Sequence, residues 1–220
     1  FGIVARTVAR KGFSPFKALA ALVVAVMLAL FLQACFYLIR VRLGSWVRPG
    51  RFLKGGSDAL ITAFSTASST ATMPITFEAL LEKIGVRESS ASLGALVGSN
   101  FNNDGTALYE AMAALFVAQV IGVELSLPQQ LVVVLTSIFA SVGAAGIPEA
   151  GLVTMTLVFS SVGLPTQYIA ILITVDWFLD RCRTAINVMG DMTVSCLLDG
   201  KEPKRAMEPL FNEALAPEAD

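Results

Sequence analysis

Asp176-Trp-Phe-Leu-Asp180-Arg181-Cys-Arg183-Thr184-Ala-Ile-Asn187-Val-Met-Gly190-Asp191 says the most about the architecture of this chain. It lies inside an apolar run from about Tyr168 to Leu198, long enough to cross a bilayer as a helix. A charge at bilayer depth costs about 2.5–3.5 kcal/mol on insertion scales. Asp176, Asp180, Arg181, Arg183 and Asp191 must therefore face one another, a cavity or a ligand. At about 100° per residue, Asp176, Asp180, Arg183, Asn187 and Asp191 fall within about 80° of arc on one stripe. Such a stripe of carboxylate, guanidinium and amide reads as the wall of a binding site. A salt bridge that only holds helices together is the plainer alternative, but the stripe's excess negative charge calls for an added cation.

Composition agrees with a membrane setting. The chain is 55% hydrophobic and 15% charged, against about 25% charged in soluble domains, and its mean hydropathy is +0.70. A net charge of -1 gives no footing for nucleic acid, and the absence of His removes the commonest metal ligand. Cys35, Cys182 and Cys196 stand in apolar segments without metal spacing and read as core residues. No nucleophile–base pair is legible, so an enzyme is not expected.

No basic residue occurs between Arg87 and Arg181. Arg40, Arg42, Arg48, Arg51 and Lys54 follow the first apolar span, and Lys201, Lys204 and Arg205 follow the last. The positive-inside rule puts both clusters, and the C-terminus, in the cytoplasm; Arg6, Arg10, Lys11 and Lys17 before the first span blur that orientation. The chain opens at Phe1 without Met or a signal-peptide pattern and reads as a piece of a longer one.

Along the chain, Ala18–Ile39 suffices for one span, and Gly44–Gly56 reads as a basic loop. Two half-length apolar runs flank the polar tract Ser65–Pro74, a pattern of half-helix, polar tip and half-helix. At membrane depth such a re-entrant hairpin is tolerated only where protein or water covers its tip. Ser89–Val123 is apolar but interrupted at Asn100–Thr106, where amides, a carboxylate and Gly favour unwinding. Unwound carbonyls with a carboxylate are ligands for a hard cation. A second hairpin follows, its tip Ser141–Gly151 rich in Gly, and then the charged helix. Hairpin, interrupted helix, hairpin, charged helix is the weak internal symmetry of a transporter built from inverted repeats.

In that order, Ser65–Thr76, Asn102–Glu110, Ala140–Gly151 and Asp176–Asp191 resemble the dicarboxylate/amino acid:cation symporter family, with its excitatory amino acid and archaeal aspartate transporters. The resemblance covers roughly Ser57 to Asp199. It implies an all-α membrane protein whose re-entrant helical hairpins and interrupted transmembrane helices form an inverted repeat, an elevator-type transport domain moving against a trimeric scaffold. The expected parts are 1–17, the end of a scaffold helix and a loop; 18–56, a transmembrane helix and basic loop; 57–199, the transport core (hairpin 57–84, interrupted helix 89–123, hairpin 129–164, charged helix 166–198); and 200–220, a polar cytoplasmic tail.

The resemblance also implies roles. Arg183 would pair with the substrate's side-chain carboxylate, oriented by Asp176, and Asp180 would take the amino group. Asn187 and the backbone at Ser69 would hold the α-carboxylate, with Thr106, Ser68, Thr184 and backbone at Ala67, Ile147 and Gly151 completing the site. Asp191 with carbonyls of Gly98, Asn102 and Asn187 would hold one Na+. Carbonyls of Asn100, Ser141, Val142 and Ala144 would hold a second, and Asp104 with the Asn102 side chain would contribute to a third. Archaeal members carry Arg where this chain has Ala67; here Arg181, as in the animal transporters, flanks the stripe within reach of the first tip. Glu110 matches the animal transporters' proton-carrying acid and would couple H+ and K+, and it is expected to lie beside Asp104. Asp191 favours Na+, since proton-driven bacterial members usually carry Asn there.

Two positions depart from the pattern: Asn100 replaces a Thr and Asn103 a Met. Asn103 is expected to offer a hard amide oxygen to the second Na+, or else a hydrogen bond to substrate. The implied function is Na+-coupled symport of acidic amino acids, glutamate or aspartate, across the plasma membrane by a homotrimer. The alternatives are a proton-coupled or C4-dicarboxylate symporter, or a substrate-gated ion channel. No organic cofactor is implied.

Overall fold

The computed structural model describes residues 14–144 and 146–203. Among these, every regular element is helical and none is a strand. The expectations for Arg6, Arg10, Lys11, Lys204, Arg205 and the polar tail fall on residues outside the described ones.

Helix α1 (Ser14–Gly44) contains the segment Lys17–Gly44, whose most apolar 18-residue window has a mean hydropathy of 2.6, and it is the one helix among the described residues long and apolar enough by these measures to cross a membrane. Leu19, Leu22, Val26 and Leu30 are buried on one side, while Val24, Leu28, Phe31 and Leu32 stay exposed on the other. After residues 45–48 the chain enters α2 (Pro49–Thr66), with Pro49 in the first turn, where its missing N–H costs nothing. The basic loop is thus shorter than the sequence implies, and Arg51 and Lys54 ride on a helix. Pro49, Gly50, Gly55 and Gly56 imitate loop composition, yet Gly55 and Gly56 are buried against Ile84 and Met192 and serve close packing.

The first hairpin returns through α3 (Ser69–Glu78), its N-terminus capped by Ser68, whose side chain accepts from the Ala71 N–H at 3.1 Å. Pro74 sits inside this helix, and a π-helical turn Ala79–Ile84 closes it. The next segment is built from α4 (Glu88–Ser92), a second π-helical stretch Leu93–Val97, and α5 (Gly98–Phe101). Helical geometry breaks only at Asn102 (φ -95, ψ 73) and Asn103 (φ -106, ψ 45), and α6 (Asp104–Ile121) resumes at once. The second hairpin pairs α7 (Leu127–Gly143) with α8 (Ala150–Ser161), and a short 3-10 turn (Thr166–Tyr168) leads into α9 (Ile169–Asp199).

Helix α9 is the axis of the molecule. Its 31 residues extend about 46 Å at 1.5 Å per residue. Its first third, through Ile169, Leu172 and Leu179, packs in one core with α1, α6, α7 and α8, including Tyr109, Val133, Met155 and Phe159. Its last third, through Val188, Met192 and Cys196, packs in another core with Tyr37, Phe52, Ala63, Leu80 and Ala95. Between the two cores lies a polar layer holding Asp180, Arg183, Thr184 and Asn187, all buried. An unbroken helix therefore carries its polar stripe where the two apolar cores part.

Candidate functional site

Arg183 is the centre of the polar layer. Its side chain is 0% exposed, and its guanidinium bridges two carboxylates, Nη1 to Asp176 Oδ1 at 2.8 Å and Nη2 to Asp180 Oδ1 at 2.7 Å. Helix geometry sets this up, since i−7 and i−3 lie on the face of residue i. The guanidinium also lies 4.0 Å from the centroid of the Tyr109 ring, a cation–π contact from α6. Among the described residues, the buried side-chain polar atoms with no hydrogen-bond partner are Tyr109 OH, Glu110 Oε2, Asp176 Oδ2 and Arg183 Nε. Three of the four, on Tyr109, Asp176 and Arg183, belong to this one wall, where unsatisfied groups call for a functional explanation.

The hairpin tips close over that wall. Ser68 Oγ donates to Gly146 O at 2.6 Å, and Thr70 N–H donates to the same carbonyl at 3.2 Å. Gly146 lets the tips approach this closely, because a Cβ there would run into the Ser69 and Thr70 hydroxyls and force them to shift. Ser69 Oγ donates to Ser99 O at 3.0 Å, tying the first tip to α5. In the second tip, Glu149 turns left-handed at φ 64, and its N–H donates to Asp180 Oδ2 at 3.0 Å. Behind the tips is a cavity of about 20 Å³ lined by Ala67, Ser69, Asn103, Thr106, Ile147, Gly151, Asp180, Thr184 and Asn187 among others. That volume holds roughly one water molecule.

Most of the residues expected to bind substrate thus converge on one chamber. Thr184 Oγ1 donates to Asp180 O at 2.8 Å, Asn187 Nδ2 donates to Thr106 Oγ1 at 3.2 Å, and Gly151 packs against Thr106 and Arg183. Ala67 ends α2 in a left-handed turn at φ 51. Arg181 stands off the stripe and reaches the first tip, its Nη1 donating to Phe64 O at 3.1 Å and Ser65 O at 2.5 Å. It caps the free carbonyls at the C-terminal end of α2.

Three oxygen-rich clusters surround the chamber. In the first, Asn102 Nδ2 donates to Asp191 Oδ1 at 3.1 Å and to Asn187 O at 3.3 Å, and the backbone of Gly98 passes against the Asp191 carboxylate. In the second, Asn103 Nδ2 donates to Asn100 O at 3.3 Å and to Ser141 O at 3.0 Å, with Val142 exposed and Ala144 buried alongside in the second tip. In the third, Asp104 faces α1, its Oδ2 accepting from Tyr37 OH at 2.5 Å and from Gln33 Nε2 at 3.2 Å. Asn102 and Asp104 thus spend their side chains in different clusters. Among the described residues no three His, Cys, Asp or Glu side chains gather as a metal cage, so a cation here would rely on carbonyls with single carboxylates.

Glu110 is buried, and the hydroxyl of Thr154 on α8 donates to its Oε1. It does not lie beside Asp104, as expected from the sequence. Six helical residues turn a side chain through about 600°, leaving the two about 120° apart around α6.

Residues 1–201 match the profile of the Sodium:dicarboxylate symporter family. The chain belongs to that family. It is therefore a member of a transporter family and not an enzyme. It is 47% identical over 180 residues to excitatory amino acid transporter 4 of Mus musculus, a match covering 79% of this chain and 31% of the relative. It is 49% identical over 163 residues to excitatory amino acid transporter 1 of Homo sapiens, covering 74% of this chain and 29% of the relative. An excitatory amino acid transporter of Caenorhabditis elegans is 49% identical over 143 residues, covering 65% and 28%. The chain spans less than a third of the length of these relatives.

Within this member of the family, several contributors to the site escape sequence reasoning. Tyr109, Thr154 and Tyr37 each touch a singled-out residue, but in sequence they are ordinary members of apolar helices. Two signals are usable: Gln33, which reaches Asp104, is a lone amide in the apolar run Ala18–Ile39, and Tyr109 stands three residues after Thr106 and so shares its face. The Glu149 N–H and the Gly146 carbonyl act through backbone alone and leave no side-chain trace.

Proposed function

We propose that this chain is the moving transport unit of a Na+-coupled symporter for acidic amino acids, glutamate or aspartate, in the plasma membrane with its C-terminus cytoplasmic. It works as an elevator against the scaffold of a homotrimer, and its two hairpin–helix units form an inverted repeat. The observation that carries this reading is Arg183, fully buried between Asp176 and Asp180 behind the chamber that the two tips close. An acidic amino acid can exchange with that triad without stranding a charge. Its side-chain carboxylate takes the guanidinium fork, a geometry Arg matches in two parallel hydrogen bonds. Its ammonium takes Asp180, and Asp176 keeps Arg183 oriented. Thr106, Thr184, Asn187, Ser68, Ser69 and the backbone of Ala67, Ile147 and Gly151 hold the remaining polar groups.

A chamber sized for one water cannot hold an amino acid, so loading parts the tips at Gly146. Na+ is carried as cargo at the Asp191 cluster, with Gly98, Asn102 and Asn187, and a further Na+ at Asp104. Glu110, facing α8 through Thr154, carries the proton that accompanies substrate inward and, having released it, frees the site for K+ on the return leg.

The test is the full-length protein in liposomes, with labelled aspartate, glutamate and succinate. Concentrative uptake of the amino acids is expected only with an inward Na+ gradient. Uptake driven by a pH gradient alone would replace the reading with proton coupling. Preference for succinate would replace it with dicarboxylate transport, and equilibration without accumulation with a channel.

A further inference from the structure

We infer that Asn103 takes the place of a cation in the second cluster, its amide NH2 supplying the positive hydrogen-bonding density that links the interrupted helix to the second hairpin. The inference rests on the transport reading above. One atom of this network, the Gly105 amide nitrogen, can only donate. Gly105 N–H donates to Asn187 Oδ1 at 2.8 Å, and that fixes which way the Asn187 amide points. Asn187 Nδ2 therefore points away from Gly105 and donates to Asn103 Oδ1 at 3.1 Å and to Thr106 Oγ1 at 3.2 Å. That in turn fixes Asn103. Its oxygen is engaged by Asn187, so its nitrogen faces the carbonyls of Asn100 and Ser141, at 3.3 and 3.0 Å.

The Ser141 carbonyl accepts a second bond, from Ala144 N–H at 3.1 Å, so both of its lone pairs are engaged. A Na+ between Asn100 and Ser141 would have to displace one donor and lie against N–H groups. The hard amide oxygen expected to serve the cation is turned toward α9 instead, and the end facing the carbonyls is the one that repels a cation. Met at this position offers no donor, so the Asn100 carbonyl and the second lone pair of the Ser141 carbonyl would be left to an ion or water. The replacement therefore removes the need for a cation there and couples the second tip, through its Ser141 carbonyl, to Asn187 by way of the Asn103 side chain.

The experiment measures Na+ carried per substrate, from reversal potentials of full-length protein in liposomes, for wild type, Asn103→Met and the isosteric Asn103→Asp. Wild type is expected to carry one Na+ fewer per substrate than Asn103→Met, with a correspondingly lower order of Na+ activation. Asn103→Asp, whose carboxylate cannot donate to the two carbonyls, is expected to gain the same ion, and it carries the test if the Met variant does not reach the membrane. Sodium-driven uptake with the same ion count in wild type and variants would overturn the Asn103 assignment and leave the transport reading intact. Wild type without any sodium-driven uptake would overturn both.

Discussion

Arg183 shows how much one residue can concentrate: two ion pairs, a cation–π contact and complete burial. Removing one partner of a buried pair typically costs about 3–5 kcal/mol, because the other charge is stranded. Arg183→Cys strands Asp176, which is 1% exposed, and deletes the proposed carboxylate clamp. Aspartate binding is expected to weaken by at least about 100-fold, the equivalent of roughly 3 kcal/mol, while a neutral amino acid such as serine is bound as well as before or better. Titrations of both ligands against wild type and variant check this, and unchanged aspartate affinity would remove Arg183 from the binding role. Sequence alone brings this residue to notice, because a guanidinium in an apolar run demands an explanation. It does not reveal the Tyr109 ring beneath the guanidinium, because an aromatic side chain on an apolar helix reads as packing.

At the scale of elements, the informative feature is how closely the segment around Leu93–Val97 approaches α9. A Cβ on Gly94 would stand 2.7 Å from Asp191 O and 2.8 Å from Ser195 N, both backbone atoms that cannot swing aside, and would collide with Ser195 Oγ. Gly94→Ala should push the two helices apart at a cost of roughly 1–3 kcal/mol. Because the displaced turn of α9 carries Asp191, the variant should show both a lower melting temperature in detergent and weaker Na+ activation. A variant as stable as wild type would mean that the helices have slack here. The sequence announces an interruption near Asn100–Thr106, and helical geometry fails only at Asn102 and Asn103. The difference is physical: α6 restarts at Asp104, where Gly105 N–H finds the Asn187 side chain, so the backbone leaves few groups unpaired.

At the scale of the whole molecule, the two apolar cores are joined by α9, and its far end is pinned by a second charged cluster. Asp199, just past the apolar stretch, accepts from Trp46 Nε1 at 2.6 Å and from Arg87 N and Nε, each at 2.9 Å. Burial pushes the Asp199 carboxyl up, but the hydrogen bonds from Trp46 and Arg87 outweigh it and hold the group below its ordinary range. The sign follows. A depressed folded-state pKa stabilises fully above the unfolded value of about 4, and that stabilisation is lost as pH falls through the folded value. Trp46 fluorescence, read in a Trp177→Phe background, should change on acidification below about pH 4. Asn at position 199 should abolish that transition and lower stability by roughly 1–3 kcal/mol, as expected when charged hydrogen bonds are weakened. An identical acid transition in Asp199→Asn would assign it to another group.

The sequence by itself determined the class of molecule and the order of its parts. Charges within apolar runs cannot face lipid, and polar tips between half-length apolar segments need cover, so hairpin, broken helix, hairpin and charged helix follow from hydrophobicity and helical period alone. The stripe from Asp176 to Asp191 was legible for the same reason, since its periodicity lies within one element. What meets across elements came from the packing of the helices. It set Glu110 against Thr154 rather than Asp104, joined the tips through one Gly146 carbonyl, sent Arg181 to the end of α2, and turned the amide of Asn103 so that its nitrogen faces the carbonyls. Each of these depends on the relative rotation of packed helices or on a backbone N–H or C=O, and every residue carries those groups alike, so no pattern of side chains records them.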